Sequence, residues 1–101
     1  MRVEKAVRGI SKRLAIHYLE GMGAQPVDEA GDPVEGAGET GEAAAAVDRV
    51  VADDWEVHLS TATVDIGPTL EVTELELVFE GDGDLEEVVE AFAWKARRAG
   101  G

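Results

Sequence analysis

Residues 55–79 read WEVHLSTATVDIGPTLEVTELELVF and predict two strands joined by a turn. In the first strand apolar residues alternate with polar ones, which indicates one buried and one solvated face. The residues that we expect on the buried face are Trp55, Val57, Leu59, Ala62, Val64 and Ile66. The dipeptide Gly67-Pro68 is typical of a turn. The second strand covers residues 70–79, and its apolar positions change phase near Thr73, which predicts a bulge or a bend there.

An amphipathic helix is predicted on each side of these strands. In residues 11–23, Ser11 is a good N-cap and apolar residues follow it at helical spacing. Near the other end of the chain, Asp84 is the predicted N-cap of a second helix. The apolar stripe of that helix consists of Leu85, Val88, Val89, Phe92 and Ala96. A leading strand in residues 1–7 and a strand in residues 48–51 complete the set.

This order of elements favours an α+β fold in a single domain over residues 1–101. Two amphipathic helices on one face of an antiparallel sheet give a two-layer sandwich, whose other face is left for solvent, a ligand or a partner. Residues 25–46 are acidic and rich in Gly, Pro and Ala, so we expect a mobile loop inserted between the first helix and the sheet. At the C-terminal end of that loop, residues 42–47 favour one helical turn because alanine is a strong helix former.

The chain is strongly acidic, with 22 Asp and Glu residues, 9 Lys and Arg residues and a net charge of −13. Such a charge repels nucleic acids and anionic membranes, so we expect neither as a partner. Because molar salt screens self-repulsion, the acid excess indicates a halophilic source, with an acidic protein of an ordinary cell as the alternative. The chain has no cysteine, no signal peptide and no long apolar run, which favours a cytoplasmic protein.

The basic residues concentrate near the two ends of the chain. Only Glu4 and Glu20 among the acidic residues lie outside residues 24–94, and Arg49 is the one base inside that stretch. If the fold brings the ends together, they form a cationic patch that suits an acidic partner. Its members are Arg8, Lys12, Arg13, Arg97 and Arg98. The alternative is that the last bases stabilise the C-terminal end of the final helix through its dipole.

No set of residues has the spacing of a catalytic, cofactor or metal site, so we expect no enzyme, no cofactor and no metal. His17 has Glu20 at i+3 on a predicted helix, but a metal site requires a further ligand. His58 lies on the polar face of a strand, where a solvated histidine is expected. The acidic pairs fall at turns and helix starts, where carboxylates cap backbone amides.

The sequence closes with Arg98-Ala99-Gly100-Gly101. A free diglycine tail is the reactive handle of ubiquitin-like modifiers and sulfur carriers, which gives the hypothesis of a small carrier activated at its terminal glycine. Those proteins begin with a hairpin before their helix, whereas this sequence predicts a single strand there. A helix that simply ends in glycine is therefore the favoured interpretation.

Three stretches together resemble the C-terminal domain of MoaD-related proteins. They are residues 13–23 (RLAIHYLEGMG), residues 64–79 with Ile66-Gly67 before the long strand, and the closing helix with its Gly-Gly. The resemblance covers roughly residues 1–24 and 48–101 and implies a TATA-binding-protein-like order, β-α-β-β-β-β-α. In that family a β-grasp domain similar to sulfur carriers precedes this one, and we expect it to be missing here.

The resemblance implies a non-enzymatic accessory module linked to MoaD-like sulfur carriers or to molybdopterin biosynthesis. Its partner would be a ubiquitin-like carrier or the enzyme that activates the carrier, bound through the helix-free face of the sheet or through the chain ends, at the five basic residues above, Gly100 and Gly101. A weaker alternative is a small-molecule binding protein with a pocket between the helices and the sheet. Because one face of the sheet is left open, a homodimer is favoured over a monomer.

Overall fold

A computed structural model describes residues 1–98 of the chain. The elements in this range are β1 (Arg2–Arg8), α1 (Lys12–Gly21), β2 (Gln25–Val27), α2 (Gly41–Ala45), β3 (Arg49–Val51), β4 (Trp55–Asp65), β5 (Glu71–Gly81) and α3 (Leu85–Arg98). The strands and helices that the sequence predicts are present, and β2 is an additional strand. None of the helices described here is long and apolar enough to cross a membrane.

The strands form one open sheet in the order β1-β5-β4-β3-β2, and every neighbouring pair is antiparallel. The longest ladder joins β4 to β5, from Trp55 opposite Gly81 to Asp65 opposite Glu71. β1 and β3 pair with the parts of this hairpin nearest Trp55 and Gly81, and they stop before its far end. The predicted α+β class with an antiparallel sheet is confirmed.

The core lies between one face of the sheet and the helices α1 and α3. The inward residues of the three central strands are Val50, Val57, Leu59, Leu75, Leu77 and Phe79. The helices bury Ala15, Ile16, Leu19, Leu85, Val89, Phe92 and Ala96. The rings of Phe79 and Phe92 meet edge to face, with centroids 5.9 Å apart. Burial of this apolar surface is therefore what holds the helices on the sheet.

Both long helices begin at the caps that the sequence predicts. The Leu14 backbone N–H donates to Ser11 Oγ at 3.1 Å, so a free amide of the first turn of α1 is satisfied. The Glu87 backbone N–H donates to Asp84 Oδ1 at 3.4 Å at the start of α3. After α1, Gly23 has φ 97°, a conformation that favours glycine and turns the chain towards β2.

Residues 25–46, for which the sequence predicts an inserted loop, contain β2 and α2. β2 pairs with β3 and forms one edge of the sheet. α2 begins after Thr40, whose Oγ1 accepts a hydrogen bond from the Ala43 backbone N–H at 3.2 Å. Ala37 and Ala44 are buried against the core. The order of elements thus differs from β-α-β-β-β-β-α by the helix α2, because an N-cap precedes a run of alanines.

The predicted inward positions in the far part of β4 are wrong. Because β4 is one unbroken strand, Ala62 and Val64 point to the face opposite that of Val57 and Leu59. Ile66 lies beyond the strand and is 51% exposed. The apolar residues change face along β4 because the helices cover only its near half, so the far half needs no inward apolar residues.

The predicted bulge near Thr73 is also absent from the described hairpin. Thr73 lies directly opposite Thr63 in a register that continues without interruption along β5. Val72 pairs with Val64 on the outer face, and Leu70 precedes the strand. The change of phase in the sequence therefore marks a change in which face is apolar, with no extra residue in the ladder.

Candidate functional site

A groove of about 470 Å³ lies between the edge strand β1 and the last turns of α3. Its lining residues are Lys5, Ala6, Val7, Arg8, Ile10, Glu74, Ala93, Ala96 and Arg97. The floor is apolar because Ile10 and Ala96 are buried beneath it. Three basic side chains and a single acidic one surround that floor, so the groove is cationic on a chain whose net charge is −13.

The charges of the groove are only partly compensated. Arg8 Nε donates to Glu74 Oε2 at 3.0 Å, across the β1–β5 pair. Within residues 1–98, Lys5 and Arg97 form no ion pair. The groove therefore keeps two basic side chains for an anionic group of a partner.

β1 also offers main-chain hydrogen-bonding groups beside the groove. It is the first strand in the sheet order and pairs with β5 on one side, so its other edge has no neighbouring strand in the described part of the chain. An unpaired strand edge is a template for an extended peptide, which adds to the sheet through backbone hydrogen bonds. The groove thus combines an apolar floor, cations and a free strand edge.

The structure brings two of the predicted interaction residues together and places the others elsewhere. Arg8 and Arg97 share the groove. Lys12 Nζ donates to the Val47 carbonyl at 2.6 Å, and Arg13 Nη1 donates to the Gly38 carbonyl at 3.0 Å. Both side chains therefore hold the segment that carries α2.

Burial lowers the pKa of Lys12, and the nearby carboxylate of Asp48 opposes that shift. The guanidinium of Arg98 lies over the ring of Trp94, 4.9 Å from its centroid, which is a cation–π arrangement. Gly100 and Gly101, the other predicted interaction residues, lie outside the described residues.

Lys5 belongs to the groove but was not predicted from the sequence. In β1 it lies on the same face as Val3 and Val7, which contact the core. The alternation of Lys5 with two inward-facing valines could have indicated this position. A polar residue on the apolar face of a strand implies an edge strand or a binding surface. The predicted cationic patch rests on position near the chain ends and does not include Lys5.

A second cavity of about 300 Å³ lies between α3 and the start of β4. The half-buried Trp55 and the buried Leu85 form part of its wall. The carboxylates of Asp54, Asp84 and Glu87 are also among its lining groups. This hollow repels anions and suits a cationic or neutral small molecule, so it is the place where the small-molecule alternative would apply.

The face of the sheet opposite the core carries a third group of polar side chains. Glu56, His58 and Glu80 each offer a ligand atom, and these atoms lie within 4.8 Å of one another. From the sequence, His58 is predicted to be solvated because it lies on the polar face of a strand, and no metal is expected. Glu80 lies on the next strand, and the register brings it opposite Glu56. From the sequence alone, only the i, i+2 spacing of Glu56 and His58 on one strand could have indicated this cluster.

In residues 1–98 no polar or charged side chain is buried. A general acid or base usually acquires a useful pKa from burial or from a close partner in a dry cleft. The ionisable groups of the described part lie instead at least partly in solvent.

A family model described as archaeal MoaD-like protein matches residues 3–101, which is essentially the whole chain. The match confirms the resemblance to MoaD-related proteins and spans the segment between α1 and β3 as well. No curated protein and no solved structure matches the chain.

Proposed function

Because the chain belongs to the archaeal MoaD-like family, we propose that it is a non-enzymatic binding module of sulfur-carrier or molybdopterin biology. Its partner is a MoaD-like carrier or the enzyme that activates the carrier. The observation that carries this proposal is the cationic groove beside the free edge of β1.

The groove has the chemistry to hold an extended tail that ends in a carboxylate. The diglycine tail of a sulfur carrier has no side chains, so recognition must come from its backbone and its terminal charge. The edge of β1 supplies backbone donors and acceptors, and Lys5 and Arg97 supply positive charge at the groove. The apolar floor over Ile10 excludes water from the contact and strengthens these interactions.

Binding of the MoaD-like carrier from the same organism tests the proposal. The double variant Lys5→Ala/Arg97→Ala should weaken binding by at least about tenfold, since each loss removes a charge-assisted contact. Isothermal titration calorimetry of the two purified proteins measures the effect, and circular dichroism checks that the variant is folded. A carrier that lacks its terminal glycine should lose affinity by a similar factor.

The matched control is Arg2→Ala/Arg98→Ala, which removes the same charge from the same strand and the same helix but outside the groove. We expect it to change the affinity by less than about twofold. Equal losses in the two double variants would mean that net charge alone attracts the carrier. No binding of the carrier or of its activating enzyme to the wild-type chain contradicts the proposal.

A second candidate function is a diglycine-tailed carrier, because the family match extends through Gly100 and Gly101. The topology favours this less, since a single strand precedes α1 and all strand pairs of the described sheet are antiparallel. Mass spectrometry of the protein isolated from its own cells distinguishes the two functions. A C-terminal thiocarboxylate or a conjugate through a lysine would support the carrier, and a free carboxylate under low-sulfur growth would exclude it.

We propose a cytoplasmic protein of a salt-rich cell, since the net charge of −13 causes self-repulsion that salt screens. The helix-free face of the sheet leaves room for a second copy of the chain or for a partner, in a TATA-binding-protein-like arrangement. Sedimentation equilibrium in high salt measures whether a homodimer forms.

A further inference from the structure

Glu56, His58 and Glu80 converge on the outer face of the sheet. Glu56 and His58 are two residues apart on β4, so the pleat points both side chains to the same side. Glu80 lies directly opposite Glu56 on β5. His58 Nε2 lies 3.6 Å from Glu56 Oε2, close to the separation of about 3.3 Å between two ligand atoms of a tetrahedral zinc ion.

The charges around this cluster leave one carboxylate without a cation. Arg49 Nε lies 3.3 Å from Glu56 Oε2, so it compensates one of the two glutamates. Arg2 is opposite Glu80 in the register, but its guanidinium lies 3.6 Å from Glu4 instead. In residues 1–98, Glu80 forms no side-chain hydrogen bond or ion pair, and two carboxylates directly across a ladder repel each other.

The set of ligand atoms selects the kind of cation that fits. One imidazole nitrogen and two carboxylates form the mixed nitrogen and oxygen set that zinc and its neighbours in the first transition row prefer, whereas calcium and magnesium prefer oxygen alone. The three side chains project from two paired strands, which fix their backbones relative to one another. Small rotations of exposed side chains are enough to close the 4.8 Å cluster around an ion.

We propose that Glu56, His58 and Glu80 form a binding site for a divalent transition-metal ion, with zinc as the best fit. Three protein ligands hold the ion and water completes its coordination, because the cluster is open to solvent. The bound ion removes the repulsion between the two glutamates. This site lies on the outer face of the sheet and is independent of the carrier-binding function proposed for the groove.

Titration of the metal-stripped full-length chain with zinc tests the site. We expect saturable binding of one zinc ion in about 1 M potassium nitrate, where the Debye length is about 3 Å and diffuse attraction to the acidic surface is screened. His58→Ala should weaken binding by at least about tenfold, since even the loss of a hydrogen-bonding partner of a ligand costs that much. Glu80→Gln should weaken it by a similar factor. Isothermal titration calorimetry measures both effects.

The matched control is His17→Ala, which removes the other histidine of the chain from an exposed position on α1. This variant should bind zinc with unchanged affinity, and cobalt bound to the wild type should give visible absorption bands that His58→Ala lacks. A wild-type Kd weaker than about 1 mM overturns the proposal. So does equal binding by wild type and His58→Ala, because the ion would then sit among surface carboxylates.

Discussion

The β4–β5 hairpin has a near half, next to Trp55 and Gly81, and a far half, next to Asp65 and Glu71. The two halves share one register but are covered by different parts of the molecule. In the near half, Val57 lies opposite Phe79 and Leu59 opposite Leu77, and all four are buried beneath α1 and α3. In the far half the same face carries exposed polar residues, beginning with Thr61 and ending with Asp65 at the tip. β3 pairs only with the near half, and β1 ends opposite Glu74, so residues 71–73 of β5 have no partner on that side in the described sheet.

This difference shows that hydrogen bonding along a ladder does not decide which face is buried. The backbone pairs continue from one half to the other, while the apolar residues move to the outer face at Ala62 and Val64. Burial follows the helices and the flanking strands, which supply the apolar contacts. The near half should therefore carry most of the stability, since an isolated two-stranded hairpin is only marginally stable in water.

The largest effect is expected when the covered half loses its central ring. Phe79→Ala should lower the free energy of unfolding by about 3–5 kcal/mol, because it empties a fully buried position and removes the edge-to-face contact with Phe92. Guanidinium denaturation at constant high salt measures the change. A loss below about 1.5 kcal/mol, the range of volume-conserving changes, would mean that the helices do not pack on this half as described.

An intermediate effect is expected at the glycine that ends the covered half. In Gly81→Ala the new Cβ would lie 2.5 Å from the Asp54 carbonyl oxygen and 2.9 Å from Trp55 Cα, so the backbone must shift. We expect a loss of about 1–3 kcal/mol in the free energy of unfolding. Thermal and chemical denaturation both measure it.

The matched control is Gly67→Ala at the tip of the same hairpin, where a Cβ meets no atom within 4 Å. The φ of Gly67 is not positive, so alanine fits and should leave stability unchanged or raise it by up to about 1 kcal/mol. Equal destabilisation of the two glycine variants would mean that the two ends of the hairpin are not packed as differently as described.

The smallest effect is expected in the far half itself. Val72→Ala removes one member of the cross-strand pair with Val64 on the outer face, and it should cost about 0.2–1 kcal/mol. The same denaturation experiment applies, and hydrogen exchange should show that the amides around Val64 open more readily than those around Val57. A cost above about 2 kcal/mol would mean that the tip is buried against something in solution.

The sequence predicts local features of this fold well, because each depends on near neighbours. Ser11 and Asp84 cap their helices as expected from residue type and position. Ile16 is fully buried on α1 together with Ala15 and Leu19, at the helical spacing that the sequence shows. The faces of Ala62 and Val64 were misassigned because their orientation depends on the extent of helix cover, a property of the tertiary structure.

The candidate sites were predictable only in part, because each depends on residues that are distant in the chain. Arg8 and Arg97 both line the groove, whereas Lys12 and Arg13 donate to carbonyl groups of a segment whose position the sequence does not reveal. The pairing of Glu56 with Glu80 follows from the register of two long strands. Register is set by the whole sheet, and so His58 was interpreted without its neighbour on β5.

The hydrogen bonds that attach the segment around α2 to α1 should depend little on ionic strength. Lys12 and Arg13 bond to the carbonyls of Val47 and Gly38, and both contacts are partly buried. A cation on a carbonyl dipole in contact range is little affected by mobile ions, whereas an exposed pair of opposite charges is weakened by them. The acidic segment around α2 is thus attached to α1 by hydrogen bonds that should persist in both dilute buffer and concentrated salt.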